Sequence, residues 1–118
     1  MERKITIQGV EYHVVFNMKT VMNFEEIANK SFLGNDFVKT SDRIALVLAS
    51  VMAADEKTKL TIETIVGNGD WESLKGINVA FNAIMEDGLA WFGIPKVIED
   101  VQPEPTSSGD EGGEKTKN

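Results

Sequence analysis

The chain has 118 residues, of which 42% are hydrophobic and 26% charged, and its 19 acidic and 12 basic side chains give a formal net charge of −7. This length provides one domain with a short tail, and the negative charge argues against nucleic-acid binding, which needs clustered Lys and Arg. The absence of cysteine and the presence of one histidine exclude disulfides, thiolate nucleophiles and most zinc or Ser-His catalytic sites.

The first 16 residues predict a β-hairpin with a tight turn at Gln8-Gly9, because glycine adopts a positive φ without steric cost. The register that follows pairs Ile7 with Val10, Ile5 with Tyr12, and Arg3 with Val14. The two-residue period of a strand places one apolar set on a single face: Ile5, Ile7, Val10, Tyr12, Val14 and Phe16. Since an isolated hairpin is barely stable, this face must pack on helices, or the hairpin must pair with another chain.

A first helix is predicted from an Asn17 cap to about Lys30, with Gly34 ending it in the loop that follows. Helical spacing is seen in its apolar residues: Met18, Val21, Met22, Phe24, Ile27 and Ala28. The outer side of the helix carries the acidic pair Glu25-Glu26. This segment therefore has the pattern of an amphipathic helix that covers a core.

A second helix is predicted from a Thr40 or Ser41 cap to about Ala54. It has almost no polar stripe, and a helix that is apolar all round is a buried one, so we expect it at the centre of the core. A short helix from Thr58 or Thr61 to Val66 follows. Its β-branched residues leave a strand as an open alternative.

The last predicted helix runs from an Asp70 cap through Trp71 to about Phe92. Steps of three and four residues define its apolar face: Trp71, Leu74, Ile77, Phe81, Ile84, Gly88 and Trp91. Gly76 and Gly88 inside a helix each cost about 1 kcal/mol relative to alanine. Close helix–helix approach at those two points would justify them.

The predicted fold is α+β, an N-terminal β-hairpin packed on a mostly helical domain of three main helices plus one short helix. Composition changes after Gly93, and residues 95–118 hold all three prolines and six acidic against three basic side chains. Burying their few aliphatic side chains would contribute roughly 5–9 kcal/mol, against on the order of 24–48 kcal/mol to order the backbone. We therefore predict a globular domain over residues 1–94 and a disordered acidic tail over 95–118.

Titratable residues give no pattern typical of catalysis. His13 falls on the outer face of the hairpin opposite Lys4, and no motif places a nucleophile beside it, so we interpret it as an exposed strand residue. The acidic pairs Asp55-Glu56 and Glu86-Asp87 are interpreted as solvated helix ends or faces. Glu86-Asp87 lies in the C-terminal half of its helix, where negative charge is mildly unfavourable, which hints at a basic partner. We predict no enzyme activity, no metal site and no cofactor.

Five large apolar residues are candidates for binding a partner. Trp71 lies at the head of the last helix, and Trp91 and Phe92 lie at its end. Such groups are binding anchors when exposed and ordinary core edges when buried, and both positions stay open. Met18 and Met22 add adaptable apolar side chains, which fill irregular cores and also serve binding surfaces. For most of the methionines the core is the favoured position.

The order of elements resembles a known family. A short hairpin, Ile5–Tyr12, runs into Asn17–Glu26, mostly helical sequence follows, and the end is polar and acidic. This resembles the tail assembly chaperones of long-tailed bacteriophages, including related proteins of prophages and gene transfer agents, over residues 3–94. The resemblance implies a non-enzymatic protein that coats the tape-measure protein, keeps it soluble and helps to recruit tail-tube subunits.

Further expectations concern location and partners. No segment resembles a signal peptide or a membrane span, so we expect a protein of the bacterial host cytoplasm that does not bind membranes. Pairing through the hairpin edges would allow a homo-oligomer. The alternative to a tail assembly chaperone is a small cytoplasmic adaptor or regulatory domain that binds a different protein.

Overall fold

A computed structural model describes residues 2–93; the last residue of the predicted domain and the predicted tail at 95–118 lie outside the described residues. The described chain confirms the predicted α+β class, a two-stranded antiparallel sheet followed by helices. Its elements are β1 (Glu2–Ile7), β2 (Val10–Val15), α1 (Met18–Ala28), α2 (Thr40–Ala54), α3 (Ile62–Val66) and α4 (Trp71–Trp91).

The hairpin turns at Gln8 and Gly9, which both adopt positive φ angles of 50° and 80°. The predicted register is confirmed, with the cross-strand pairs Ile7–Val10, Ile5–Tyr12 and Arg3–Val14. The inner face is buried at Ile5, Ile7, Val14 and Phe16. Burial of Val10 was predicted and is wrong: it adjoins the turn and is exposed, because β2 packs into the core through its C-terminal half.

Helix α1 begins as predicted at an Asn17 cap. Asn17 Oδ1 accepts hydrogen bonds from the backbone N–H groups of Lys19 and Thr20, and the Asn17 N–H donates to Thr20 Oγ1. The helix ends at Asn29, with φ at 57°, so the prediction that Gly34 ends it is wrong. Asparagine tolerates the left-handed conformation better than most residues other than glycine, and the helix therefore stops earlier.

Helix α2 is the centre of the core, as predicted: every residue of the range 44–51 is buried, and the helix contacts all other elements except β1 extensively. The predicted cap at Thr40 or Ser41 is wrong, because Lys39 occupies the N-cap position and no side chain caps the helix. Asp42 in the first turn is buried and accepts from Lys30 Nζ at 3.2 Å. Its negative charge suits a helix N-terminus.

Both helices of the C-terminal half, α3 and α4, begin at side-chain caps. Residues 62–66 form a helix, not a strand, capped by Thr61, whose Oγ1 accepts from the Thr64 N–H at 3.1 Å. Helix α4 begins at the predicted Asp70 cap, whose Oδ1 accepts from the Ser73 N–H at 2.9 Å. Its middle faces the core through Ile77, Ala80, Phe81 and Ile84. The two tryptophans at its ends lie outside this buried face.

Candidate functional site

An aromatic cluster runs from the core to the surface at the C-terminal end of α4. Phe24 and Phe37 are buried, whereas the side chains of Trp91 and Phe92 are 46% and 43% exposed. Phe32 connects the two groups, with its ring centroid 5.3 Å from that of Phe37 and 6.0 Å from that of Phe92. The aromatic cluster, as named here, consists of Phe16, Phe24, Phe32, Phe37, Trp91 and Phe92.

Phe16 fixes the outer rings of the aromatic cluster. Its ring centroid lies 5.7 Å from that of Trp91 and 6.1 Å from that of Phe92. The same ring lies against Gly88, where a Cβ atom would come within 3.0 Å of it. The predicted helix–helix approach at Gly88 is therefore wrong, because the neighbour is the ring of Phe16, which follows β2 and belongs to no helix. Absence of a side chain at Gly88 is what lets Phe16 reach the outer rings.

A charged contact ties β1 to α4 beside the aromatic cluster. Arg3 Nε donates to Asp87 Oδ2 at 2.9 Å, and Arg3 Nη2 donates to Asp87 Oδ1 at 2.8 Å and to Glu86 Oε1 at 3.2 Å. These hydrogen bonds raise the pKa of Arg3 above its ordinary value, and the bond with Asp87 contributes most. The pair of carboxylates was interpreted as solvated, which is wrong for the buried Asp87.

The position of Glu86-Asp87 near the C-terminal end of its helix hinted at a basic partner. That partner is Arg3 of the same chain. The two-residue period of the strand already indicated that Arg3 points inward, because it shares the inner face of β1 with Ile5 and Ile7. Sequence reasoning also missed Phe16 and Phe32 as the buried residues that contact the exposed rings of the aromatic cluster. Phe16 follows directly after β2, so its position on the inner face was predicted but its contact with Trp91 was not.

Met18 and Met22 lie on the outward face of α1, four residues apart, and are 62% and 58% exposed. Phe24 and Thr20, on the opposite side of the helix, are buried. The favoured core position is therefore wrong for these two methionines, whereas Met52 and Met85 do pack against the core. Exposed methionines present adaptable apolar surface to a partner.

Trp71 belongs to a different surface from Trp91. Helix α4 has 21 residues and is therefore about 30 Å long, so its two ends do not share one contact area. Trp71 is 66% exposed and lies at an apolar cleft of about 480 Å³ with Val66 and Leu74. The five residues predicted to bind a partner therefore lie on three separate surfaces. Trp91 and Phe92 belong to the aromatic cluster, Met18 and Met22 lie on α1, and Trp71 lies at the apolar cleft.

The single histidine and the acidic residues were the candidates for metal ligands or acid–base groups. His13 is exposed opposite Lys4, as predicted, and its Nδ1 lies 3.8 Å from Glu2 Oε1. Within residues 2–93, no three His, Asp or Glu side chains converge as metal ligands. No helix in the same range combines the length and apolarity needed to cross a membrane.

No protein-family model matches this chain, and neither a curated protein nor a solved structure matches it significantly. The exposed apolar surface of the described residues includes the outer edge of the aromatic cluster, the methionine face of α1 and the surroundings of Trp71.

Proposed function

We propose that this protein is a non-enzymatic tail assembly chaperone of a long-tailed bacteriophage or prophage. In this proposal it acts in the bacterial cytoplasm and binds the tape-measure protein and tail-tube subunits. The observation that carries the proposal is the outer edge of the aromatic cluster, where Trp91 and Phe92 are about half exposed while Phe16 and Phe32 hold their rings. Large apolar groups presented in this way are typical anchors for another protein.

Rigidity makes this edge suitable for binding. The ring of Trp91 contacts Phe16 and Phe92, and Phe92 stacks on Phe32 at an interplanar angle of 22°. Side chains that are already ordered lose little conformational entropy when a partner covers them. A tape-measure protein is long, helical and apolar, so it offers surface that such anchors would cover before assembly.

Charge supports the second part of a chaperone's task. The chain carries a formal net charge of −7, and many copies on one long partner would repel one another. Like charge keeps proteins dispersed and opposes precipitation. An acidic domain with an apolar anchor thus combines the two properties that a solubilising coat needs.

The test is co-expression of the full chain with a tape-measure protein encoded beside it. We expect the wild-type protein to keep the tape-measure protein soluble and to co-purify with it. The double variant Trp91→Ala, Phe92→Ala should lower the recovered tape-measure protein by about tenfold or more, as loss of a binding hot spot does. Val79→Ala is the control, since it removes exposed apolar surface from α4 outside the aromatic cluster.

Two outcomes would contradict the proposal. If the tape-measure protein stays insoluble and nothing co-purifies, the protein does not act on it. If a protein unrelated to tails is captured instead, and its capture depends on Trp91, the adaptor alternative replaces the chaperone.

A further inference from the structure

Gly76 lies inside α4 and has no packing role within the described chain. A Cβ atom placed there would meet no atom within 4 Å, whereas one at Gly88 would press on Phe16. The predicted close approach at Gly76 is therefore wrong for contacts within residues 2–93. Because glycine weakens a helix relative to alanine, an open position of this kind calls for another explanation.

Gly76 lines a cleft of about 390 Å³ between the hairpin tip and the N-terminal half of α4. The floor of this cleft is apolar and consists of Ile7, Val47, Ile65, Ile77 and Ala80. Val47 has no exposed surface of its own, so the cleft reaches the core. A concave space of this size, with an apolar floor and polar walls, is typical of a binding pocket.

Gln8 holds the wall of the cleft in place. Its Nε2 donates to the Ile65 carbonyl oxygen at 3.2 Å and to Ser73 Oγ at 3.0 Å. The side chain lies against Gly67, where a Cβ atom would overlap it. Gln8 also has a positive φ of 50°, which side-chain bonds to α3 and α4 help to stabilise. The hairpin tip is thus anchored, and the cleft exists before any partner binds.

The mouth of the cleft is acidic. Asp70 and Glu72 line it, and among residues 2–93 no Lys, Arg or His does. Glu72 pairs with Lys75 at 3.2 Å, outside the lining. Asp70 accepts the Ser73 N–H, and this bond lowers the pKa of the Asp70 carboxyl below its ordinary value. A carboxylate that stays ionised at the mouth favours a cationic group over an anionic one.

We propose that this cleft binds a long aliphatic side chain of a partner helix that carries a Lys or Arg about one turn away, with the aliphatic group over Ile77 and the cation at Asp70 and Glu72. Gly76 leaves room for that helix to approach α4 closely. The inference rests on the proposed function only in naming the tape-measure protein as the source of the helix.

The first test uses hexylammonium, an alkyl chain with a cationic head, as the probe. Two-dimensional amide NMR spectra of the full chain should show saturable shifts at Ser73, Gly76 and Ile77. We expect a Kd of about 1–10 mM, as for any very small ligand. Hexanoate, the anionic counterpart, should bind at least about fivefold more weakly, since like charges repel at the mouth. Shifts that do not saturate, or equal binding of both probes, would overturn the proposal.

The second test uses a substitution that places a larger side chain in the cleft. Gly76→Leu should abolish the hexylammonium shifts, whereas Asn82→Leu, at an exposed position outside the cleft, should leave them unchanged. Gly76→Ala is a milder variant that should weaken binding and raise the Tm by roughly 4–8 °C, because it removes a helix glycine. A gain in Tm together with weaker binding separates a blocked site from a misfolded protein. Unchanged binding in Gly76→Leu would contradict the assignment.

The third test measures binding of the tape-measure protein. In co-expression with the tape-measure protein, Gly76→Leu should lower the recovered partner by about fivefold, and Asn82→Leu should not. If the wild-type protein captures the tape-measure protein and Gly76→Leu captures it equally, the assignment of a partner helix to the cleft is wrong. If the wild-type protein captures none while hexylammonium still fills the cleft, the proposed function fails and the cleft chemistry stands.

Discussion

The two ends of α4 carry the same kinds of residue in opposite surroundings. Near the C-terminal end, Gly88 lies under the ring of Phe16 and Trp91 belongs to the aromatic cluster. Toward the N-terminal end, Gly76 faces open space and Trp71 is 66% exposed. A glycine or tryptophan therefore has no role by itself, and what packs against it from elsewhere in the chain decides its contribution.

The acidic residues differ in the same way. Asp70 at the N-terminal end suits the helix dipole and caps the helix without a cation. Asp87, close to the C-terminal end, is both buried and opposed by the dipole, so its charge needs compensation. The bidentate bond from Arg3 provides it. The C-terminal end is thus joined to the hairpin by an ion pair, whereas the N-terminal end is joined to it only by the neutral Gln8–Ser73 hydrogen bond.

The largest expected effect comes from adding a side chain at each glycine. Gly88→Leu should lower the free energy of unfolding by about 3 kcal/mol, because the Phe16 ring must move. Gly76→Leu should instead raise it by up to about 1 kcal/mol, because a helix glycine is replaced in open space. Urea denaturation of both variants measures the difference. Equal effects at the two positions would show that their surroundings do not differ as described.

Removing the charge compensation should have the next largest effect. Asp87→Ala should cost about 2 kcal/mol of unfolding free energy, less than for a fully buried pair because the Arg3 side chain is 33% exposed. Glu72→Ala removes the exposed pair with Lys75 and should change stability by less than about 0.5 kcal/mol. A double-mutant cycle of Asp87→Ala with Arg3→Met measures the coupling. A coupling near zero would contradict this role of Arg3.

Replacing each tryptophan by alanine should change the free energy of unfolding by a smaller amount, and the two positions should differ. Trp91→Ala loses contacts with Phe16 and Phe92 and should lower the free energy of unfolding by about 1–2 kcal/mol. Trp71→Ala, at the more exposed end, should lower it by about 0.5 kcal/mol or less. Chemical denaturation followed by circular dichroism avoids reliance on tryptophan fluorescence. A larger loss at Trp71 than at Trp91 would reverse the comparison.

The smallest effect concerns the pH dependence of the Asp70 cap. Its pKa is lowered from the ordinary 3.8 by the bond from Ser73, so its contribution is complete above that value and is lost as the pH falls through the lower folded value. Asp70→Asn keeps an acceptor oxygen without the charge. We expect a small Tm advantage of the wild-type protein near neutral pH that is lost as the pH falls through the folded-state pKa of Asp70. An advantage that does not change with pH would contradict an ionic contribution.

Local sequence signals determined most of the backbone. The Gln8-Gly9 turn determined the hairpin register, and the caps at Asn17 and Asp70 determined where α1 and α4 begin. Each of these signals involves residues only a few positions apart, so the physical cause lies within the segment itself. The burial of α2 was also predictable, because its apolar residues leave almost no face for solvent.

Only the tertiary structure determined which apolar surfaces are exposed and which are covered by another element. Arg3 and Asp87 are 84 positions apart, so the strand period can place Arg3 on the inner face of β1 but cannot identify Asp87 as the group that it neutralises. Packing of Phe16 on Gly88, and the open space at Gly76, likewise depend on how the hairpin lies across α4. Sequence periodicity identifies which residues share a face, but contacts between distant elements determine whether that face is covered, which is why the exposed aromatic edge and the cleft emerged only from the fold.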